Sequence, residues 1–197
     1  MPRLLIATKN AHKTGEIRAI LGDGWEVEDL NAHPEIHAPE ETGDTFLENA
    51  TIKAVAASQI FPGLVLSDDS GLAVDALGGA PGVRSARYAG ENASAAEHRA
   101  KLLAALAGTR ERTARFRCVM VLAENGAVLG AFDGAVEGAI IAEERGTGGF
   151  GYDPLFIPDG YAETFGELPS SVKNQLSHRA RALSQVLARL AAISGGR

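Results

Sequence analysis

The chain has 197 residues, of which 45% are hydrophobic and 22% charged, a composition that excludes disordered and collagen-like proteins. Its formal charge of −6 disfavours broad nucleic-acid binding, which needs a basic face, but is compatible with a small basic pocket for a phosphate ligand. This length predicts one domain, or one domain with two lobes, rather than two independent domains.

Cysteine content and hydropathy bear on the cellular compartment. Cys118 is the only cysteine, so no internal disulfide can form, and its apolar neighbours in FRCVMVL predict a buried thiol. The N-terminal apolar run is too short for a secretion signal, and no segment approaches the roughly 20 apolar residues of a membrane span. We therefore expect a cytoplasmic protein with neither a membrane nor a nucleic-acid partner.

A strand, a loop and a helix are the first elements predicted along the chain. The apolar run LLIAT is typical of a buried strand. Asn10 is a candidate N-cap, and Ile17, Ile20 and Leu21 give the following segment a helical apolar pattern that ends at Gly22.

A second helix is predicted after residue 44. Its N-cap is Asp44 or Thr45, and Glu48 completes a capping box with Thr45. Asn49 and Lys53, four residues apart, are assigned to the face opposite the apolar stripe. The apolar stripe of this helix is expected to comprise Leu47, Ala50, Ala54, Ala57 and Phe61.

The remaining pattern alternates strands with helices. The run GLVLS predicts a buried strand that ends at two aspartates, and Ser94 with Glu97 caps a helix assigned a purely structural role. RFRCVMVLA and AVLGAFDGAVEGAII, joined through Asn125-Gly126, predict a β-hairpin. A short strand LFIP and a last helix from about Ser177 follow, with a frayed tail SGGR. This order predicts an α/β or α+β fold with a mixed sheet.

Two segments near the N-terminus are candidates for phosphate and metal binding. In ATKNAHK a strand ends and a helix begins with Lys13 in its first turn, which suits an anion at the helix N-terminus but also an ordinary turn with surface lysines. Glu40 and Glu41 precede the Lys53 helix, where acids are common because they complement the helix dipole. Each segment alone therefore leaves both interpretations open.

The adjacent carboxylates in LSDDSGLAVDALGGAPGVRSARYAG favour function over structure. Acids at the end of a buried strand are poor structural choices unless they bind a metal, accept hydrogen bonds or act as acid and base. Neighbouring side chains of a continuing strand point to opposite faces, so we predict that the strand breaks at Ser70-Gly71 and lets Asp68 and Asp69 enter one pocket. Two such acids suffice for Mg²⁺.

Two later segments have the residue types of a base-binding site. GTGGFGYDP combines glycines with Phe150, Tyr152 and Asp153, so an aromatic ring could stack on a base while the acid accepts hydrogen bonds; a tight turn with core aromatics is the alternative. Lys173 and the SHR triplet at residues 177–179 could contact a base or a phosphate, or simply begin a helix.

Taken in order, TKNAHK, EETGDTFLENATIKA, SDDSGLAVDALGGAPGVRSARYAG, GTGGFGYDPLF and K…LSHRARAL resemble the inosine/xanthosine triphosphate pyrophosphatase family over essentially the whole chain. The resemblance implies a homodimeric, Mg²⁺-dependent enzyme that hydrolyses ITP, dITP and XTP to the monophosphate and pyrophosphate, cleansing the nucleotide pool. It also implies an elongated α/β fold, here one two-lobed domain over residues 1–197, with a long mixed sheet flanked by helices and a substrate cleft between the lobes.

The same resemblance implies roles for individual residues. Asp69 becomes the proton acceptor and a metal ligand with Asp68 close by, and Lys53 stabilises charge near the phosphates. The second metal carboxylate is Glu40 or Glu41, with Glu40 preferred. The triphosphate loop comprises Thr8, Lys9, Asn10, Ala11, His12 and Lys13. The other substrate contacts are Ser70, Phe150, Gly151, Tyr152, Asp153, Lys173, His178 and Arg179.

Two positions depart from the family pattern, and one expectation concerns acidity. Lys9 stands where the family often has glycine, and Ala180 replaces a glycine common after SHR.

An unperturbed aspartate, with a pKa of ~3.9, is a weak base at neutral pH, and the like charge of Asp68 is expected to raise the pKa of the pair. The alternatives are a nucleotide pyrophosphatase of the same architecture with another base preference, and a non-catalytic nucleotide-binding regulator.

Overall fold

The computed structural model describes residues 1–194 and contains helices, strands and short 3₁₀ turns. The predicted tail SGGR lies outside the described residues except for Ser194, the last residue of the final helix. The strands are β1 (Arg3–Ile6), β2 (Glu26–Asp29), β3 (Leu64–Val74), β4 (Thr113–Glu124), β5 (Ala127–Ile140) and β6 (Phe156–Pro158). The helices are α1 (Ala11–Leu21), α2 (Phe46–Ser58), α3 (Ala95–Ala105), α4 (Ser170–Leu176) and α5 (His178–Ser194).

The strands form one six-stranded sheet in the order β2-β1-β3-β4-β5-β6. Strand β1 pairs in parallel with both β2 and β3, whereas β5 and β6 pair antiparallel. Strands β4 and β5 are joined by Asn125 and Gly126, whose φ angles of 52° and 79° are those that a two-residue hairpin turn requires. The predicted mixed α/β fold and the hairpin are therefore confirmed.

The chain divides into two compact units. Unit 1 comprises Met1–Asp69, Cys118–Gly134 and the described part of the segment that begins at Arg179. Its larger core cluster includes Leu4, Ile17, Leu66, Met120 and Leu183. Cys118 belongs to this cluster, as its apolar surroundings predicted.

Unit 2 comprises Ser70–Arg117 and Ala135–His178. Its core cluster includes Leu72, Leu102, Phe116, Tyr152 and Phe156, and it is richer in aromatic rings than the core of unit 1. The arrangement of the two lobes and the cleft between them stay predictions.

The helix ends follow local sequence signals. Asn10 caps α1, Thr45 and Glu48 form the capping box of α2, and Ser94 and Glu97 form that of α3, all as predicted. Among residues 1–194, no helix combines the length and apolar character needed to cross a bilayer.

The predicted apolar face of α2 is wrong in part. Leu47 is 48% exposed, whereas Phe46 is buried in its place, and Asn49 and Lys53 are buried rather than on the outer face. A polar residue is buried where it has hydrogen-bond partners, and both residues have them. The helix is therefore rotated relative to the position that its apolar pattern predicts.

Candidate functional site

Strand β3 does not break at Ser70-Gly71, so the predicted interruption is wrong. The strand runs without a gap from Leu64 to Val74 and passes through both aspartates. Since side chains alternate along a strand, Asp68 and Asp69 point to opposite faces of the sheet. Instead of entering one pocket as a pair, the two carboxylates accept hydrogen bonds from different cations, in two networks.

Asp68 is the acceptor of the first network. Its Oδ1 accepts from Lys13 Nζ at 2.5 Å, and its Oδ2 accepts from Arg179 Nε at 2.8 Å and from the Cys118 thiol at 3.2 Å. Burial alone would raise the pKa of Asp68, but Arg179 and Lys13 outweigh it and hold that pKa well below its usual range. Asp68 is thus a buried carboxylate partner for two cations.

Arg179 lies within this same network. Its side chain is 1% exposed, and its Nη1 also donates to the carboxylate of Glu16 on α1. Burial lowers the pKa of the guanidinium, but the carboxylates of Asp68 and Glu16 outweigh this and raise it. The structure thus places Arg179, predicted from the resemblance as a base contact, between two acids of unit 1.

Lys53 is the centre of the second network. Its Nζ donates to Asp69 Oδ1 at 2.8 Å, to Glu41 Oε1 at 2.9 Å and to the Asp68 carbonyl at 2.9 Å. An ammonium group has three N–H donors, so these contacts use all of them. Lys53 therefore holds two carboxylates, Glu41 and Asp69, beside each other.

A hydrogen bond and a close backbone approach at Gly43 hold the segment before α2 against that helix. The Gly43 N–H donates to Asn49 Oδ1 at 2.8 Å, and a Cβ on Gly43 would lie 2.5 Å from the Glu48 Cβ. Only glycine fits such a close approach. Glu41 is half-buried beside Lys53, whereas Glu40 is exposed.

Asp69 has the properties of a base. Burial raises its pKa above the usual value, in spite of the opposing charge of Lys53. The carboxylate of Glu41 also raises this pKa, and a contribution from the charge of Asp68 stays a prediction. Asp69 Oδ2 is buried and accepts no hydrogen bond from the described residues, which leaves one carboxylate oxygen for a metal ion or a water proton.

The loop at the start of α1 is already internally hydrogen-bonded. Asn10 Oδ1 accepts from the His12 and Lys13 N–H groups at 3.0 and 3.3 Å, and Thr8 Oγ1 accepts from the Asn10 N–H at 3.1 Å. The cap therefore uses two of the N–H groups that the sequence assigns to an anion. Lys9 is exposed, and its carbonyl accepts from Asn31.

Unit 2 contains a separate polar cluster around Asp153. Its Oδ2 accepts from Lys173 Nζ at 2.5 Å and from the Phe150 N–H at 2.8 Å, and the two charged side chains are 4% and 5% exposed. Lys173 Nζ also lies 4.8 Å from the centre of the Phe150 ring, a cation–π contact. Phe150, Asp153 and Lys173 are thus brought together, and Gly151 lies within the same loop.

The other predicted substrate contacts in unit 2 are buried or half-buried. Tyr152 is buried, and its hydroxyl donates to the Ser85 carbonyl at 2.8 Å. His178 is buried and stacks on Phe116 with ring centres 4.9 Å apart. Ser70 is half-buried on β3.

Some residues of these networks were not predicted as site residues. Glu16 contacts Arg179, Phe165 lies under Lys173, and Arg99 on α3 donates to the Gly151 carbonyl at 2.9 Å. Helical spacing offers one signal, because Glu16 is one turn from Lys13 on α1. Arg99 and Phe165 act through contacts distant in sequence, for which a single sequence has no signal.

The described residues contain no cluster of three or more His, Cys, Asp or Glu side chains that could enclose a metal ion. A fully protein-coordinated site of the zinc type is therefore absent from residues 1–194. Mg²⁺ needs fewer protein ligands, since it usually binds one or two carboxylates and takes its other ligands from water and phosphates. Glu41 and Asp69 meet that requirement.

Comparison with known proteins identifies the family. The model of the Ham1 family matches residues 4–189. The chain belongs to the Ham1 family. The HAM1 protein of Coxiella burnetii has a similar structure, with a TM-score of 0.87, 41% identity and coverage of 98% of this chain and 100% of that one. The Staphylococcus aureus Ham1 protein matches with a TM-score of 0.84 and 38% identity, covering 99% and 100% of the two chains.

Ham1 relatives with a named activity are also similar over nearly their full length. The dITP/XTP pyrophosphatase of Halalkalibacterium halodurans is 48% identical and covers 94% of this chain and 97% of its own. That of Geobacillus kaustophilus is 46% identical and covers 100% and 98%. These findings confirm the resemblance that the ordered motifs indicated.

Proposed function

We propose that this chain hydrolyses deaminated purine nucleoside triphosphates, such as dITP, ITP and XTP, to the nucleoside monophosphate and pyrophosphate. The observation that carries the proposal is the buried Lys53–Asp69 pair, in which Lys53 holds one carboxylate oxygen and the other oxygen accepts no hydrogen bond from the described residues. The dITP/XTP pyrophosphatases that resemble this chain over nearly its whole length support the substrate class.

In this proposal Asp69 is the general base. A water molecule attacks the α-phosphorus and gives its proton to Asp69 Oδ2, while the bond from that phosphorus to the oxygen bridging to the β-phosphate breaks and pyrophosphate leaves. Burial suits the role, because a raised pKa makes the carboxylate a better proton acceptor. Lys53 fixes the carboxylate orientation through Oδ1.

Charge on the triphosphate is assigned to Lys13 and the loop before it. The Lys13 side chain is 16% exposed, and Asp68 holds its ammonium group in place. Exposed Lys9 adds a second positive charge in the same loop. Asp68 has the role of positioning Lys13 in this assignment, since its strongly lowered pKa makes it a poor base.

Mg²⁺ fits the carboxylates of Glu41 and Asp69, which are hard oxygen ligands held side by side by Lys53. We assign Glu41 instead of Glu40, because Glu40 is exposed and Glu41 contacts Lys53. When bound, Mg²⁺ would offset negative charge on the phosphate oxygens and the leaving group.

The base is assigned to the cluster around Asp153. The Phe150 ring offers a stacking surface, and the backbone N–H groups of Gly151 and Tyr152 are the proposed donors to the 6-oxo group that inosine and xanthine share. The N–H groups of Phe150 and Asp153 are already bonded within the loop. Adenine has an amino group at that position, which would leave such donors unpaired. Arg179 is not assigned to the base, since Asp68 and Glu16 hold its guanidinium.

From the family resemblance we also infer a cytoplasmic homodimer with no nucleic-acid or membrane partner. Light scattering on the purified protein measures its mass directly. A mass near twice the 20.5 kDa of the chain is expected.

A substrate panel tests the proposed activity. Pyrophosphate release from dITP, XTP, dUTP and dGTP is measured with and without Mg²⁺. We expect release from dITP and XTP that depends on Mg²⁺. Faster turnover of dUTP or dGTP would indicate another base preference, and tight dITP binding without pyrophosphate release would indicate a non-catalytic nucleotide-binding protein.

A further inference from the structure

Arg99 of α3 contacts the loop that contains the proposed base site. Its Nη1 donates to the Gly151 carbonyl at 2.9 Å, and its Nε lies 2.8 Å from Glu144 Oε1. The Arg99 side chain is 15% exposed, whereas its partner Glu144 is 41% exposed. The sequence assigns α3 a purely structural role.

The Gly151 carbonyl has a special place in this loop. Gly151 adopts a φ of 62°, in the left-handed region that residues with a side chain disfavour. The peptide that follows it is therefore oriented differently from a peptide in a helix or a strand. That peptide joins Gly151 to Tyr152. In a planar trans peptide the C=O and N–H groups point in opposite directions. Anchoring the Gly151 oxygen on Arg99 therefore directs the Tyr152 N–H away from α3.

The neighbouring residues of the loop are held by other contacts. Asp153 is fixed by Lys173 and the Phe150 N–H, and the Tyr152 hydroxyl is fixed by the Ser85 carbonyl. These contacts hold the side chains of Asp153 and Tyr152 and the N–H group of Phe150. The Arg99 contact acts directly on the peptide between Gly151 and Tyr152.

We propose that Arg99 is a positioning residue for base recognition, which holds the Gly151–Tyr152 peptide so that its N–H faces the 6-oxo group of a deaminated purine. The inference rests on the proposed function for the identity of the ligand. The orientation of the peptide by Arg99 does not depend on it and is measured separately.

Arg99→Met tests the proposal, because methionine keeps an unbranched apolar chain and loses the N–H donors. Hydrogen exchange on the unliganded protein reports on loop order, and steady-state kinetics with dITP report on recognition. We expect faster exchange in peptides covering residues 149–153, with KM for dITP raised about 10-fold and kcat changed less than about 2-fold. Arg99→Lys retains a charged donor, so its KM for dITP is expected to lie between those of the wild type and of Arg99→Met.

Arg115→Met is the matched control. Arg115 is also partly buried and also forms ion pairs, with Asp75 and Glu137, but these lie outside the proposed site. We expect wild-type loop exchange and kinetics for this variant. Glu144→Gln keeps Arg99 and removes its charged partner, so we expect a rise in KM for dITP that is smaller than that of Arg99→Met. This second variant tests the proposal if Arg99→Met folds poorly.

Two results would overturn the inference. Unchanged exchange at residues 149–153 in Arg99→Met would show that Arg99 does not order the loop. Faster exchange with an unchanged KM would show that the loop order does not matter for recognition. A wild-type protein that releases no pyrophosphate from dITP would instead refute the proposed function, and the exchange result would still decide whether Arg99 positions the peptide.

Discussion

Asp68 and Asp69 are adjacent on an unbroken strand, yet their pKa values shift in opposite directions. Asp68 lies between Lys13 and Arg179, which outweigh its burial and lower its pKa, whereas burial raises the pKa of Asp69 in spite of Lys53. Two adjacent carboxylates that the residue pattern of the strand does not distinguish are thereby suited to different tasks. One is a fixed counter-charge and the other a proton acceptor.

The first prediction contrasts the two isosteric variants. Asp69→Asn removes a carboxylate whose charge is disfavoured in the folded state, so we expect turnover to fall by about 10²–10⁴-fold while the free energy of unfolding changes by less than about 1 kcal/mol. Pyrophosphate release and urea denaturation measure the two quantities. Near-normal release from dITP by this variant would refute the role of Asp69 as the base.

Asp68→Asn is expected to behave differently. It leaves the buried guanidinium of Arg179 and the ammonium of Lys13 without their shared carboxylate, a change that typically costs about 3–5 kcal/mol. We expect a clear loss of stability in the same urea experiment. Equal stability of the Asp68 and Asp69 variants would contradict the assignment of the two networks.

The second prediction separates the two glutamates before α2. Glu41→Gln should raise the Mg²⁺ concentration needed for half-maximal activity by at least about 10-fold. Even mutation of residues that only orient metal ligands lowers metal affinity by about this factor. Glu40→Gln is the matched control and should leave it unchanged, because Glu40 is exposed. A titration of activity against Mg²⁺ decides between them, and the reverse result would return the role to Glu40.

The third prediction concerns the buried Lys173–Asp153 pair. Removing either charge leaves the other buried, so Lys173→Met and Asp153→Asn should each destabilise the fold by about 3–5 kcal/mol. The double variant removes both charges and should lose much less than the sum of the two. A double-mutant cycle in urea measures the coupling, and additive losses would show that the two groups do not interact.

The fourth prediction is a pH dependence from His33. Its hydrogen bond to Glu28 raises its pKa above 6.5, against the opposing effect of burial, with Glu35 adding to the rise. A raised folded-state pKa stabilises the protein fully below the unfolded pKa, and this stabilisation is lost as pH rises through the folded pKa.

His33→Gln should therefore flatten the fall in stability above about pH 6.5, the range above the unfolded pKa in which the carboxylates stay ionised. Urea denaturation at several pH values measures it. The exposed His37→Gln is the control and should keep the wild-type slope. An unchanged slope in His33→Gln would show that the pair contributes nothing.

Local signals in the sequence predicted the helix starts and the hairpin. A capping box spans three residues and the Asn125-Gly126 turn two, so the groups that decide these structures are neighbours in the chain. Two elements were not predicted for the opposite reason. Strand β2 has the sequence EVED, with one buried apolar residue, and it exists because it pairs with β1. Helix α4 is short and has no side-chain cap.

The sequence by itself determined the family and the mixed α/β class, because these depend on which motifs occur and in what order. Only the tertiary structure decided how the residues are divided. Whether β3 continued past Asp69 depended on its neighbours in the sheet, and whether Lys53 was buried depended on three acceptors distant in sequence. A buried charge is stable only beside its partners, and those partners are known only once the chain has folded.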